Sequence, residues 1–468
     1  MLLHVGLYVL CSAAILQAVC QILPAPFIDE IFHIPQAQHY CNGSFSEWND
    51  KITTPPGLYL ASLLLQVPFL ILSQHLYCTV LTLRTVNVIF NAINMLLIYY
   101  IMKEISSTKQ TNYEGNNAPQ KEYAMMKIQA LTISMFPVNY FFSFLYYTDP
   151  GSTLFVLAAY LANLKSMHKT SAFLGLFSVF FRQTNIVWVL FLAGCTAVRE
   201  MVKADSIEKI ETSPDIKDKL VRFLVGIVSA AIKYLLVIDN FLRILKLVWP
   251  YLFVLASFAM FILINGGIVL GDKLNHEVSL HAPQLLYFFG FALFFSSPFL
   301  ISLSQIRNFF AAVVKNPLKF MTFALICILL IIKYTHIHIF VLSDNRHYTF
   351  YLCRYVLKYP LFRLLLVPLY IYAGWAMNQR LDSPRCLGIW KLVLLICICA
   401  VTVPQKLIEV RYFIIPYILF RVNIRVTEMY QVVLEFLLYF LINAFTLYVF
   451  FTKEIVWPDI NDPQRIIW

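Results

Sequence analysis

The sequence predicts an all-α fold, a polytopic bundle of transmembrane helices, and three observations carry that expectation. The chain is 60% hydrophobic and only 13% charged, with a mean hydropathy of +0.71, whereas soluble domains carry roughly 25% charged residues. Its apolar residues fall in runs approaching the ~20 that a helix needs to cross a bilayer. The basic residues behind the net charge of +11 sit in short connectors between those runs. That is the pattern of the positive-inside rule rather than of one basic face, and it excludes nucleic acid as a partner.

Taken in order, the first run, 3–23, has no basic n-region and no small-x-small cleavage site before Pro24, so it predicts a retained span rather than a removed signal. Further spans are predicted at 79–101, 126–146, 152–166, 171–197, 246–265, 284–303, 319–341, 361–377, 390–405, 411–427 and 432–452. Two apolar segments read either way. One is 55–73, opened by Pro55-Pro56 and broken by Pro68. The other is 220–245, whose Arg222, Lys233, Asp239 and Arg243 suit an amphipathic surface helix as well as a span. The expectation is a single membrane domain over 1–468 with about 12 to 14 spans. It includes a first luminal loop with juxtamembrane helices at 24–75 and a cytoplasmic basic, amphipathic connector at 199–245.

Orientation follows from charge. The connectors 102–127, 199–222, 307–319 and 380–391 are rich in Lys and Arg and read as cytoplasmic. The 25–54 loop holds Asp29, Glu30, Glu47 and Asp50 against Lys51, and also an Asn42-Gly43-Ser44 sequon; it reads as luminal. An unbroken helix over 171–197 would put the basic 199–222 stretch on the wrong side. The cluster Arg182-Gln183-Thr184-Asn185 marks a broken or re-entrant element there. The ten cysteines show neither CxxC nor Cys/His metal spacing, so most read as small buried hydrophobes and say nothing about redox compartment.

The non-basic loops hold the chemistry. In the first, Asp29 and Glu30 precede His33 and His39, and a carboxylate desolvated at a membrane surface is suited to act as a base. An acidic helix N-terminus explains the same residues equally well. The second, 265–284, carries Asp272, Lys273, His276, Glu277 and His281. Its histidines are five apart, a poor zinc spacing, and its glycines do not form a phosphate-binding motif. The third, 335–355, carries Asp344, Asn345, Arg346, His347 and Arg354, and the fourth, 404–417, carries Lys406, Glu409 and Arg411. Charges at membrane depth are functional or paired, and Arg is a natural phosphate clamp. A Glu409–Arg411 salt bridge with a snorkelling Lys406 is the plainer account of the fourth. His33, Asp149, Asp272, His276, Glu277, His281, Asp344, Asn345, His347 and Glu409 are the candidate substrate-binding residues. Composition alone does not choose between an enzyme handling a lipid phosphate and a transporter.

The segments PFIDEIFHIPQAQHYC, KITTPPGLY, FLYYTDPGST, FRQTNIVW, NGGIVLGD, HEVSLHAPQLLYF, DNRHYTFYL and VPQKLIEVRYFIIPY occur in this order. Together they resemble the dolichyl-phosphate-glucose-dependent alpha-1,2-glucosyltransferases, which add the terminal glucose to the lipid-linked oligosaccharide for N-glycosylation. The resemblance implies a GT-C glycosyltransferase fold in the endoplasmic reticulum membrane with its site facing the lumen. It implies inverting transfer of glucose from dolichyl phosphate β-glucose to Glc2Man9GlcNAc2-PP-dolichol, with no cofactor or metal. By that resemblance Asp29 or Glu30 is the catalytic base, Asp29 being favoured, and Arg346, Lys406 or Arg411 holds the donor phosphate. Asp149 binds the acceptor or supports the structure. The alternatives are a sister dolichyl-phosphate-sugar transferase with another acceptor, or a non-enzymatic membrane channel regulator. No inverted repeat of the kind many transporters show is visible in the sequence.

Overall fold

The structure is a computed structural model that describes residues 1–73, 77–107, 118–202, 220–273, 279–381, 388–426, 428–458 and 460–468. Among these residues seven helices are long and apolar enough to cross a membrane: Leu2–Ile22, Val80–Ser106, Gln183–Val202, Ile238–Asn265, Pro317–Tyr334, Pro360–Arg380 and Met429–Thr452. Shorter apolar helices include Pro283–Phe295 and Gly388–Thr402. Several predicted spans are divided. The stretch 126–146 becomes α5 (Ala118–Ser134) and a short α6 (Pro137–Phe142), because Pro137 has no N–H with which to continue the ladder. The 411–427 stretch becomes a 3₁₀ turn at Val410–Phe413 and a ten-residue helix, Ile414–Asn423, buried at every residue but Ile415. Large apolar side chains such as Leu252, Phe253, Leu263 and Ile264 point outward, as expected where lipid replaces water.

The first helix, α1 (Leu2–Ile22), buries Tyr8, Ser12, Leu16 and Val19, one face at helical spacing. It packs on α4 (Val80–Ser107), whose inward face carries a polar stripe: Arg84, Asn87, Asn91 and Asn94, all at most 1% exposed. The 3-4-3 spacing places all four on one side of the helix. The asparagines of the stripe bind backbone carbonyls of the 134–150 region, where the chain is only partly helical. Asn87 Nδ2 donates to the carbonyls of Leu145 and Tyr147, both at 2.7 Å. Asn94 Nδ2 donates to Pro150 O at 3.1 Å. In a bilayer such groups must be satisfied within the protein.

The ambiguous 55–73 segment forms α3 (Gly57–Ser73), which lies along one face of the bundle. At its start a Cβ on Gly57 would sit 2.5 Å from the Phe180 carbonyl oxygen, so only glycine allows the approach. Nine residues later Gln66 Nε2 meets Cys78 Sγ at 3.4 Å, just before α4 begins. Cys78 is disulfide-bonded to Cys41 at the end of α2 (Glu30–Cys41), a pairing that the cysteine spacing did not signal. Both contacts lie on the face that carries the 24–79 loop.

The 171–197 stretch is broken as its polar cluster predicts. Helix α7 (Asp149–Leu164) turns at Ser166 into α8 (His168–Phe181); Arg182 is extended, a 3₁₀ turn covers Gln183–Asn185, and α9 (Ile186–Val202) follows. Arg182 reaches Asp149 at the start of α7, and Arg199 near the end of α9 donates to Asn163 O at the end of α7. The 182–185 turn therefore lies on the Asp149 side, and the end of α9 at Arg199–Val202 lies on the opposite one. The 220–245 segment divides into α10 (Leu220–Leu235), with a strongly one-sided apolar face, and the start of α11 (Ile238–Asn265).

One element departs from the all-α expectation. An antiparallel hairpin, β1 (Glu454–Trp457) with β2 (Ile460–Arg465), follows the last helix. The chain after β2 docks on the 344–348 loop: Ile467 N donates to Arg346 O at 2.7 Å and Tyr348 N to Ile467 O at 3.1 Å.

Candidate active site

The first loop is aimed by strain and burial. Ile28 has a φ of +53°, a conformation that β-branched residues rarely adopt. The turn it makes sends the next two carboxylates in opposite directions. Glu30 is fully buried. Its Oε1 accepts from Arg84 Nε at 2.9 Å and from Tyr146 N at 2.6 Å; its Oε2 accepts from Arg84 at 2.5 Å and from Phe27 N at 3.1 Å. Arg84 also donates to the carbonyls of Leu23 and Ala25. Glu30 thus closes a buried pair that staples the entry of the loop to α4. The Asp29 side chain is 40% exposed, and its Oδ2 lies 3.4 Å from Arg411.

Arg411 is the hub of the site. It touches Asp29, pairs with Glu409, and lies 3.8 Å from Asp149. The rings of Phe142 and Tyr147 cover its guanidinium at 5.2 and 5.1 Å from their centroids, a cation–π seating that fixes its plane. Arg182 holds Asp149 through two nitrogens and donates from Nε to Thr148 Oγ1 at 3.0 Å. Three carboxyl groups (Asp29, Asp149, Glu409) therefore face two guanidiniums (Arg182, Arg411), and burial raises the pKa of Asp149 against the pull of both arginines. His33, one turn after Asp29, hydrogen-bonds the Tyr59 hydroxyl at 2.6 Å. Burial lowers its pKa to about 4 against the opposing pull of Asp29, and Arg411 and Arg182 lower it further. It is neutral at pH 7.

A second cluster lies along the same chain segment. His281 N donates to Val403 O at 2.9 Å, the His281 and His336 rings are 6.1 Å apart, and Gln284 Nε2 donates to Leu407 O at 2.7 Å. Burial lowers the His281 pKa to about 4, and His336 adds to that shift. The Lys406 backbone lies beside His281, and the Lys406 charge is felt at His338. Among the described residues it forms no ion pair, in contrast to Arg411. The 265–273 segment is tied to the first loop through Asp272 N and Asp50 O at 2.9 Å. His276 and Glu277 lie outside the described residues.

The third loop is built as a clasp. Arg346 donates to Asp344 at 2.8 and 2.9 Å and to Gln464 at 2.9 Å, and stacks over Trp457 at 4.5 Å. Burial raises the Asp344 pKa, but the Arg346 hydrogen bond and the neighbouring His347 and Arg346 charges bring it below the ordinary value. Asn345 accepts from Trp457 Nε1, and His347 hydrogen-bonds Trp468 O. These groups hold the hairpin and the residues after it. Among the described residues no group of three or more His, Cys, Asp or Glu side chains is arranged to hold a metal ion.

The structure thus brings together Asp29, His33, Asp149, Glu409 and Arg411, and sets the Lys406 backbone beside His281. Sequence reasoning did not single out Arg84, and it took Arg182 only as a kink. The signal for Arg84 was present as the 84, 87, 91, 94 spacing inside an apolar run.

The sequence model of the DIE2/ALG10 family matches residues 23–422. The chain belongs to that family. A human member of similar sequence is 40% identical over 98% of this chain and 96% of its own length. One from Drosophila melanogaster is 37% identical over 94% and 93%, and one from Arabidopsis thaliana 34% over 96% and 96%. All three are named Dol-P-Glc:Glc(2)Man(9)GlcNAc(2)-PP-Dol alpha-1,2-glucosyltransferase. No solved structure matches the chain. The family match contains every residue of the Asp29–Arg411 cluster.

Proposed function

We propose that this protein transfers glucose from dolichyl phosphate β-glucose to Glc2Man9GlcNAc2-PP-dolichol, forming the terminal alpha-1,2 linkage. It would do so in the endoplasmic reticulum membrane with the Asp29 face toward the lumen. The observation that carries the reading is 34–40% identity over nearly the full length to relatives so named, on a chain whose first loop presents an accessible Asp29 carboxylate beside Arg411.

In the proposed step the acceptor 2-hydroxyl gives its proton to Asp29 while its oxygen attacks C1 of the donor glucose. Attack comes from the face opposite the phosphate, so the β-linkage becomes α. The C1–O bond to phosphate breaks with its electron pair, and dolichyl phosphate leaves carrying one more negative charge than the donor had. Protonation of Asp29 removes one negative charge from beside Arg411 at that moment, so the charge gained on the phosphate is matched by charge lost from the acidic cluster. The excess of carboxylates around Arg411 and Arg182 favours Lys406 as the resting partner for the phosphate. Arg346, paired to Asp344, serves the clasp. Glu30 holds the loop.

The test is transfer by purified protein from synthetic dolichyl phosphate glucose to a defined diglucosylated lipid-linked acceptor. A triglucosylated product that is lost with Asp29→Asn is expected. Folded, inactive wild type on this pair would overturn the reading.

A further inference from the structure

A small cleft lined by Arg411 and Arg182 lies between α7, α9 and the 411–416 segment. Its lining is polar at Asp149, Ser152 and Thr153 and apolar at Trp188, Val401 and Ile415. Arg411 lines the cleft and also touches Asp29, so the cleft adjoins the proposed base.

Thr153 is the unexplained group. It is 1% exposed and its Oγ1 has no hydrogen-bond partner. A helical threonine ordinarily returns its hydroxyl to the carbonyl one turn back. Thr132, Thr196 and Thr402 do so here, at 2.8 to 2.9 Å. Thr153 does not, at a site where an unpaired hydroxyl is costly. Ser152 Oγ accepts from Asn185 Nδ2 at 2.7 Å, which leaves its own proton to donate. The wall is also rigid, because a Cβ on Gly151 would fall 2.2 Å from the Phe181 ring.

We infer that this cleft receives the glucosyl unit of the donor, with Thr153 and Ser152 hydrogen-bonding its hydroxyls and Trp188 lining its apolar side. The inference rests on the proposed function. A pocket built around hydroxyls awaiting partners discriminates by leaving them unpaired when the wrong epimer enters, so the cleft would select glucose over mannose.

Thr153→Val removes the hydroxyl and keeps the shape. Were the hydroxyl merely structural, its loss would leave the unfolding temperature unchanged or raise it and would not touch kinetics. The cleft assignment predicts a rise of about three- to tenfold in KM for dolichyl phosphate glucose, with KM for the acceptor unchanged and Thr153→Ser retaining wild-type behaviour. An unaltered donor KM in the folded variant, or a rise in the acceptor KM instead, would overturn it. If Val does not fold, Thr153→Ala removes the same hydroxyl and the same split is read. Wild type measured alongside separates the failures: inactive wild type sinks both the function and the cleft, whereas active wild type with an unaffected variant sinks the cleft alone.

Discussion

Asp29 and Glu30 are neighbours in sequence and opposites in setting. Glu30 is fully buried and accepts four hydrogen bonds, two of them from Arg84. Asp29 is 40% exposed and has one long contact to Arg411. The left-handed turn at Ile28 and the phase of α2 separate them. A carboxylate that must gain and lose a proton needs an accessible oxygen, and one that fixes a loop needs none. The difference teaches that a pair of adjacent acids can divide into reagent and fastening through backbone geometry alone.

The comparison breaks most visibly through kinetics. Asp29→Asn should lower kcat by about 10²- to 10⁴-fold, the range for a lost general base, with an unchanged unfolding temperature; near-normal turnover would show that the base lies elsewhere. Glu30→Gln should do the reverse. It leaves Arg84 buried with a neutral partner, and breaking such a pair costs about 3–5 kcal/mol, read as a lower unfolding temperature and a smaller folded fraction. Glu30→Gln protein as stable as wild type would remove the distinction. Losing the Cys41–Cys78 bond, which spans 37 residues, should cost about 3–4 kcal/mol by chain entropy. Cys41→Ser with Cys78→Ser should therefore unfold earlier, while Asp29→Asn still abolishes its residual turnover.

Smaller effects sharpen the picture. Lys406→Met should raise KM for the donor about tenfold, the scale of a hydrogen bond to a charged group, and should leave the acceptor KM alone. Equal effects of Arg346→Met and Lys406→Met on that constant would contradict the assignment of Arg346 to the clasp. The least effect is on acid stability. The pKa of His33 is about 4 in the folded protein and near 6.5 when unfolded, so the unfolded chain takes up the proton first. Its contribution is complete above pH 6.5 and is lost as pH falls toward 4; His281 acts in the same direction. Unfolding temperatures between pH 7.5 and 4.5 should fall with acid less steeply in His33→Gln, and an identical slope would exclude His33 as a contributor.

Much of this was legible in the sequence, for identifiable reasons. The polar cluster 182–185 announced the break between α8 and α9, because four polar residues cannot cross a bilayer inside one helix without a role. Asp29, Asp149 and Arg411 could be named because charge in apolar surroundings stands out. What sequence could not supply was partnership. Nothing in the spacing shows that Glu30 belongs to Arg84, that Arg346 reaches Gln464, or that Cys41 belongs to Cys78, since each depends on how distant segments pack. The divided spans were hidden for a related reason: hydropathy averages over a kink, whereas Pro137 and the 410–413 turn act at single residues.

The Asp29–Arg411 contact joins residues 382 positions apart. During synthesis the first loop therefore reaches its destination long before the segment that completes it has been made. Until then Asp29 lacks Arg411 and the cleft lacks the 410–416 wall. Such long-range closure comes late in folding, because the intervening chain must be ordered before the contact can form. A nascent chain would accordingly hold its donor-binding surface unformed through most of translation, and activity would appear all at once when the last helices insert.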